Sequence, residues 1–244
     1  MTNAKGKFEE DLSFLLSKLS VDMQEEPKRK LEKLRNDLLD LQKANVVKIN
    51  HSVMELVCAK YLILKGYDVQ VEHPLNELLT CDLFATKGYG NLIVEIETGY
   101  IPPEQALHPL TYTSARLASK IIRYSSFAGK FALGVPPHYV LPLPVHLAAP
   151  PRHRTPTDIA QIKALCDQFY QKPPVTEEDI KNARIQEIQI IDVDHRSVVE
   201  MDPETYIKRA LQRGVVFAPE DQSALDEQKP RLIRENEELD YYMT

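Results

Sequence analysis

The chain has 244 residues, with 30 Lys and Arg against 36 Asp and Glu and a formal net charge of −6. That length holds one domain with appendages or two small ones, and the acidic total argues mildly against nucleic acid as a partner. No apolar run reaches the roughly 20 residues that a bilayer-spanning helix needs, and residues 1 to 5 lack a signal-peptide core, so no membrane partner and a cytoplasmic location are expected.

Residues 6 to about 46 read as helix, with a break at Glu25 to Pro27. Leu12, Leu15, Leu16 and Leu19 form one apolar stripe, and Leu31, Leu34, Leu38 and Leu41 form a second at three- and four-residue spacing. A helical hairpin packed on its own core and a short coiled coil forming a homodimer both fit this spacing. Asn50 or Ser52 is positioned to cap a third helix carrying Val53, Leu56, Val57, Tyr61 and Leu64, with a stop at Lys65-Gly66. Alternation then predicts strands over Tyr67 to Glu72, 80 to 87 and 91 to 98, the last two joined by a turn at Gly88-Tyr89-Gly90.

A helix is expected from 104 to 126, with Leu110, Leu117 and Ile121 on one face and Pro109 either in its first turn or kinking it, followed by a strand from Lys130 to Val135. The proline-rich stretch 136 to 156 reads as an extended connection over the surface. Beyond it come a helix near 157 to 171, a hairpin of 185 to 193 and 197 to 201 turning at Asp194-His195-Arg196, and a helix opened by Asp202-Pro203-Glu204. The last twenty residues are charged and expected to be loosely held. The expected division is a helical arm at 1–47, a core at 48–137, a connection at 138–156 and an α+β extension at 157–244. Cys58, Cys81 and Cys166 form no Cys-x-x-Cys pair and read as small buried apolar residues.

The strongest chemical signal is acidic. Asp82 falls on one predicted strand, and Glu95 and Glu97 alternate with Val94 and Ile96 on the next, so both glutamates point to the same face. If that strand is internal, neighbouring carboxylates are costly without a compensating cation, and a hard divalent metal is the natural one; at a sheet edge they are simply hydrated. Charge is also unevenly placed. Between Thr98 and Thr157 the only carboxylate is Glu104, while Arg116, Lys120, Arg123, Lys130, Arg152 and Arg154 lie there, which suits a face that meets phosphates. On the 104 to 126 helix, Gln105, Tyr112, Arg116, Lys120 and Arg123 form one polar, basic stripe, which any amphipathic helix also presents to solvent.

The order helix, three strands, helix, strand, with Asp82 on the second strand and Glu95-Ile96-Glu97 on the third, resembles the PD-(D/E)XK nuclease superfamily over residues 48 to 137. The resemblance implies an α/β, restriction-endonuclease-like αβββαβ core with a mixed central sheet, flanked by the helical arm and a small C-terminal portion. It implies Mg2+ or Mn2+ held by Asp82 and Glu95, with Glu55 of the first helix assisting, and hydrolysis of phosphodiester bonds in DNA by a metal-activated water. Gln105 and Tyr112 look like residues that the RecB-like branch places beside its metal, and Arg116 and Arg123 would position the nucleic-acid backbone. Glu97 stands where the superfamily usually has lysine. Three readings follow: Glu97 is itself a metal ligand or base, Lys120 has taken over the lysine's role, or the core is an inactive relative serving as a nucleic-acid-binding or protein-interaction scaffold. His51 lies one helical turn before Glu55 and can face the same place; His153, between Arg152 and Arg154, either contacts phosphate or belongs to a disordered basic linker, and His195 has no identifiable partner.

Overall fold

The computed structural model describes residues 4–171 and 173–213 and is an α/β protein with a mixed, open six-stranded sheet. The charged last twenty residues lie outside the described residues. The chain divides into two compact units. The first comprises Met1–Tyr100, Tyr124–Leu141 and Ile185–Tyr206 and holds all six strands; the second comprises Ile101–Arg123, Pro142–Arg184 and Ile207–Thr244.

In the first unit, α1 (Ala4–Leu19) and α2 (Glu25–Lys43) form the expected pair of helices, with the break at residues 20 to 24 rather than at Glu25 to Pro27. Pro27 is accommodated inside the first turn of α2, where its missing N–H has no intrahelical acceptor to lose. Leu12, Leu15, Leu16, Leu19, Leu31, Leu34 and Leu38 are all buried in one hydrophobic core shared with the next helix and the sheet. Both stripes are therefore occupied within the chain itself. The third helix, α3 (Ile49–Leu64), starts from Lys48, so Asn50 and Ser52 lie inside it and do not cap it. Ser52 is buried, and Met54 to Ala59 are buried in an unbroken run, as in a helix covered on most sides.

Three strands follow: β1 (Asp68–Pro74), β2 (Thr80–Lys87) and β3 (Gly90–Ile96). Gly88 and Tyr89 make the β2–β3 hairpin turn, with Gly88 at φ 58°, a conformation that glycine takes without steric cost. After α4 (Pro109–Tyr124) the chain enters β4 (Lys130–Val135), which lies parallel to β3. The core order helix, three strands, helix, strand is as expected. The hairpin β5 (Glu187–Asp192) and β6 (Ser197–Met201) is not a separate appendage: β5 pairs parallel with β4, so the sheet runs β1-β2-β3-β4-β5-β6. Gly134 permits that close layering, since a Cβ there would lie 2.7 Å from Ile191 Cδ1. Helices α1, α2 and α3 pack on one another, and α3 lies against β1, β2, β3, β5 and β6.

The second unit contains α5 (Val145–Ala148), α6 (Pro156–Asp167) and α7 (Glu177–Asn182), and α8 (Pro203–Gln212) continues into it. The stretch expected to cross the surface is packed instead: Leu141, Leu143, Val145 and Leu147 are buried. Both α6 and α7 open with a reciprocal capping box, Thr155 with Asp158 and Thr176 with Asp179. Among the described residues, no helix is long and apolar enough to cross a membrane.

Candidate metal centre

The first unit brings α3 against the ends of β2 and β3. His51 and Glu55 are four residues apart on α3 and so share a face. Asp82 comes from β2, and the possible ligand atoms of His51, Glu55 and Asp82 all lie within 4.8 Å of one another. His51 Nδ1 is 4.0 Å from Asp82 Oδ1. Glu55 is fully buried, and neither of its carboxylate oxygens has a hydrogen-bond partner. Burial pushes its pKa well above the ordinary carboxylate range, and the negative charges of Asp82, Glu72 and Glu95 push it further. Such a carboxylate either holds a proton or needs a cation beside it.

Asp82 and Glu95 are fixed by the strands they serve. The β2–β3 register ends at Leu83 opposite Val94, and past that point side chains take over the backbone bonding. The Asp82 N–H donates to Glu95 Oε1 at 3.0 Å, and the Ile96 N–H donates to Asp82 Oδ2 at 2.5 Å. One oxygen of each carboxylate is thus committed to the backbone, and Asp82 Oδ1 is the atom turned toward His51.

β3 lies between β2 and β4, and Glu95 and Glu97 are only 2% and 3% exposed, so these acids are internal and not edge residues bathed in water. Glu97 sits just past the end of β3, where its N–H continues the parallel ladder by donating to the Gly134 carbonyl at 2.8 Å.

The remaining expected residues belong to the second unit. Tyr112, Arg116, Lys120 and Arg123 lie on α4 as a half-buried line between fully buried positions. Gln105 does not continue that line: it sits in a separate 3-10 turn, Pro103–Gln105, because Pro109 starts α4. Part of the stripe is packed. The Arg116 guanidinium lies 5.7 Å from the Tyr112 ring, Tyr112 meets Phe169 edge-on at 5.5 Å, and Arg123 donates to the Pro173 carbonyl at 2.5 Å.

Two basic positions have structural partners. Arg154 donates to the carbonyls of His146, Ile180 and Ala183 at 2.9, 2.8 and 2.5 Å, and burial lowers its pKa to about 10. His195 has an unforeseen partner, since its Nδ1 lies 2.8 Å from Asp192 Oδ2. The three cysteines are free and buried.

Sequence reasoning passed over Glu72, whose charge acts on Glu55 more strongly than that of Glu95. Its place at the end of an expected strand gave no sign of this. The donor set of one imidazole and several carboxylates, with Glu55 buried and unbonded among them, fits a divalent cation. In comparisons with known proteins, no family model, no curated protein and no solved structure matches this chain.

Proposed function

We propose that the chain is a divalent-cation-dependent nuclease with a restriction-endonuclease-like core, hydrolysing phosphodiester bonds in DNA. The observation that carries the reading is the buried carboxylate of Glu55, with neither oxygen hydrogen-bonded, beside Asp82 and His51. A cation there removes the cost of burying like charges and gives them a chemical use. His51, Glu55, Asp82 and Glu95 hold Mg2+ or Mn2+, with Glu97 in reserve as ligand or base.

When bound, such an ion makes water a better nucleophile and offsets charge on the phosphate in the transition state. The protein's own residues orient it. Asp82 is held by the Ile96 N–H, and Glu95 by the Asp82 N–H, so both carboxylates are preset. Glu97 receives the proton of the attacking water.

The test is a titration of Mn2+ and Mg2+ into the wild type and Asp82→Asn, followed by incubation with labelled linear, branched and single-stranded DNA. Binding and cleavage that vanish together in the variant support the reading, and cleavage unchanged in the variant refutes it. Glu97→Gln then tests the proton's acceptor. Loss of about 10²–10⁴-fold in rate with cation affinity retained marks the group that handles it. The second reading, a non-catalytic scaffold, is favoured by Glu97 in the lysine's place; it predicts that no cleavage is found on any of the three DNA forms.

A further inference from the structure

The helices α1 and α2 share a leucine core, yet on one side they do not close on each other. An open groove of about 480 Å3 lies between them, inside the range of roughly 300–1,000 Å3 that small-molecule sites occupy. Leu16, 8% exposed, belongs to its apolar lining, and Val21, 73% exposed in the turn between the helices, borders it. The rest of the lining is polar. Ser13 and Ser17 lie one turn apart on α1, and Lys28, Glu32 and Arg35 follow one another at four- and three-residue spacing along one face of α2.

The polar groups sort into donors and acceptors. Among the described residues, the half-buried Arg35 guanidinium makes one hydrogen bond, from Nη1 to Ser13 Oγ at 3.5 Å, longer than the about 2.7–3.2 Å of a well-formed N–H···O bond. Its Nε is buried with no partner at all. Because Ser13 Oγ accepts from Arg35, its own hydroxyl hydrogen is left to donate. With Lys28, the groove therefore offers two cations and a hydroxyl donor. Ser17 and Ser20 are different: their hydroxyls already donate to the carbonyls of Phe14 and Leu16, each at 2.7 Å. Their oxygens, like the Glu32 carboxylate, remain able to accept.

A guanidinium withdrawn from water with so few partners is costly until an anion completes its bonding, and phosphate matches its planar fork. We propose that the groove between α1 and α2 binds the phosphate monoester of a small hydroxylated molecule. Arg35, Lys28 and the Ser13 hydroxyl hold the phosphate, and the ligand's own hydroxyl groups donate to Glu32, Ser17 and Ser20. Glu32 is what separates this from a site for any anion. Its negative charge repels a bare phosphate and rewards a ligand that brings hydroxyl donors with it. The groove shares no residue with the candidate metal centre, so the two readings stand or fall separately.

The experiment is calorimetric titration of glycerol 3-phosphate, glucose 6-phosphate, inorganic phosphate and glucose into the full chain. The proteins are the wild type, Arg35→Met, Lys28→Met, Glu32→Gln and, as a control at an exposed position on the same helix, Arg29→Met, with melting temperatures measured alongside. Both esters are expected to bind one to one and more tightly than inorganic phosphate, and glucose not to bind. Arg35→Met and Lys28→Met should each weaken ester binding at least about tenfold, the worth of a hydrogen bond to a charged group, while Arg29→Met stays within about twofold. Glu32→Gln should narrow the preference for the esters over inorganic phosphate.

A folded wild type that binds neither ester saturably overturns the inference. Ester affinity in Lys28→Met within about twofold of the wild type also overturns it, and that variant leaves the leucine core untouched should Arg35→Met fail to fold. An equal loss in Arg29→Met marks a general attraction to surface charge and no site. Equal affinity for inorganic phosphate and for the esters overturns the assignment of the ligand as an ester.

Discussion

The Asp82 N–H donates to the side chain of Glu95, not to a neighbouring carbonyl, at 3.0 Å. A residue that looks from its chemistry like a metal ligand is thereby also a strand-pairing group. Removing it entirely leaves a buried donor unsatisfied, at a cost of about 1–3 kcal/mol. Glu95→Ala is therefore expected to lose that much stability in urea unfolding. Glu95→Gln keeps an acceptor oxygen for the Asp82 N–H and is expected to stay within about 0.5 kcal/mol of the wild type, the range of benign substitutions. On the proposed reading, both variants also lose cation affinity. If Glu95→Gln is destabilised as much as Glu95→Ala, the carboxylate charge matters to the fold itself.

Glu55 makes the opposite prediction. Its pKa is raised in the folded chain from an ordinary value of 4.5, so the folded state binds more protons than the unfolded one between the two values. The stability this contributes is fully present below pH 4.5 and is lost as pH rises through the folded pKa. In EDTA, the wild type should thus melt at progressively lower temperature on going from acid toward alkaline pH, relative to Glu55→Met. Replacing this buried acid, whose oxygens have no hydrogen-bond partner, with an apolar side chain of similar size is expected to stabilise the cation-free protein by about 1–3 kcal/mol, the cost of an unsatisfied buried polar group. Cation affinity moves the other way, rising with pH as the competing proton leaves, and is abolished in Glu55→Met. Parallel melting curves for the two proteins across pH would show that Glu55 is not buried as described.

Local patterns made much of the sheet legible. The alternation in Thr80–Lys87 and Gly90–Ile96 and the glycines between them marked the hairpin that carries Asp82 and Glu95. What escaped were features fixed by distant partners. Nothing in residues 187 to 201 announces that β5 will lie beside β4, because that register is set by chain returning across more than fifty residues. The left-handed backbone at Glu72 is similar: its residue type is ordinary, and nothing local in the sequence marks it. The burial of Leu141, Leu143 and Val145 was misread from their prolines. Pro142 and Pro144 carry no N–H to satisfy, and the Pro142 carbonyl accepts from Ser114 Oγ at 3.2 Å, so an extended Leu-Pro run can be buried without joining a sheet. Among the candidate site residues, the acids of the hairpin were readable because they break an apolar pattern; Gln105 was misplaced because Pro109 starts a new helix.

Arg154 illustrates a basic residue that belongs to packing, not to DNA. Its guanidinium gathers carbonyls from the end of α5 and from the end of α7, where helix dipoles place partial negative charge. Lysine cannot span this set, since its donors radiate from one atom and Arg154 uses a planar fork. Arg154→Lys is expected to cost about 1.5–3 kcal/mol, the worth of a hydrogen bond to a charged group. Hydrogen exchange should quicken in α5 and α7, while DNA affinity and its salt dependence stay unchanged. A reduced salt slope in Arg154→Lys would instead make Arg154 a phosphate contact.

On the proposed reading, His51 gives the centre its selectivity. Mg2+ takes oxygen ligands almost exclusively, whereas an imidazole nitrogen is well suited to later divalent ions, and affinity at mixed sites rises from Mn2+ onward along the first-row series. With His51 Nδ1 only 4.0 Å from Asp82 Oδ1, one ion can sit against both groups. The wild type is therefore expected to bind Mn2+ more tightly than Mg2+. His51→Ala should lower Mn2+ affinity at least about tenfold and leave Mg2+ within a few fold, compressing the difference between the two ions. Isothermal titration with each ion, supported by the electron paramagnetic resonance signal of free Mn2+, reads both numbers. Equal losses for the two ions would mean that His51 orients Asp82 and does not touch the metal, because a positioning defect weakens every occupant alike.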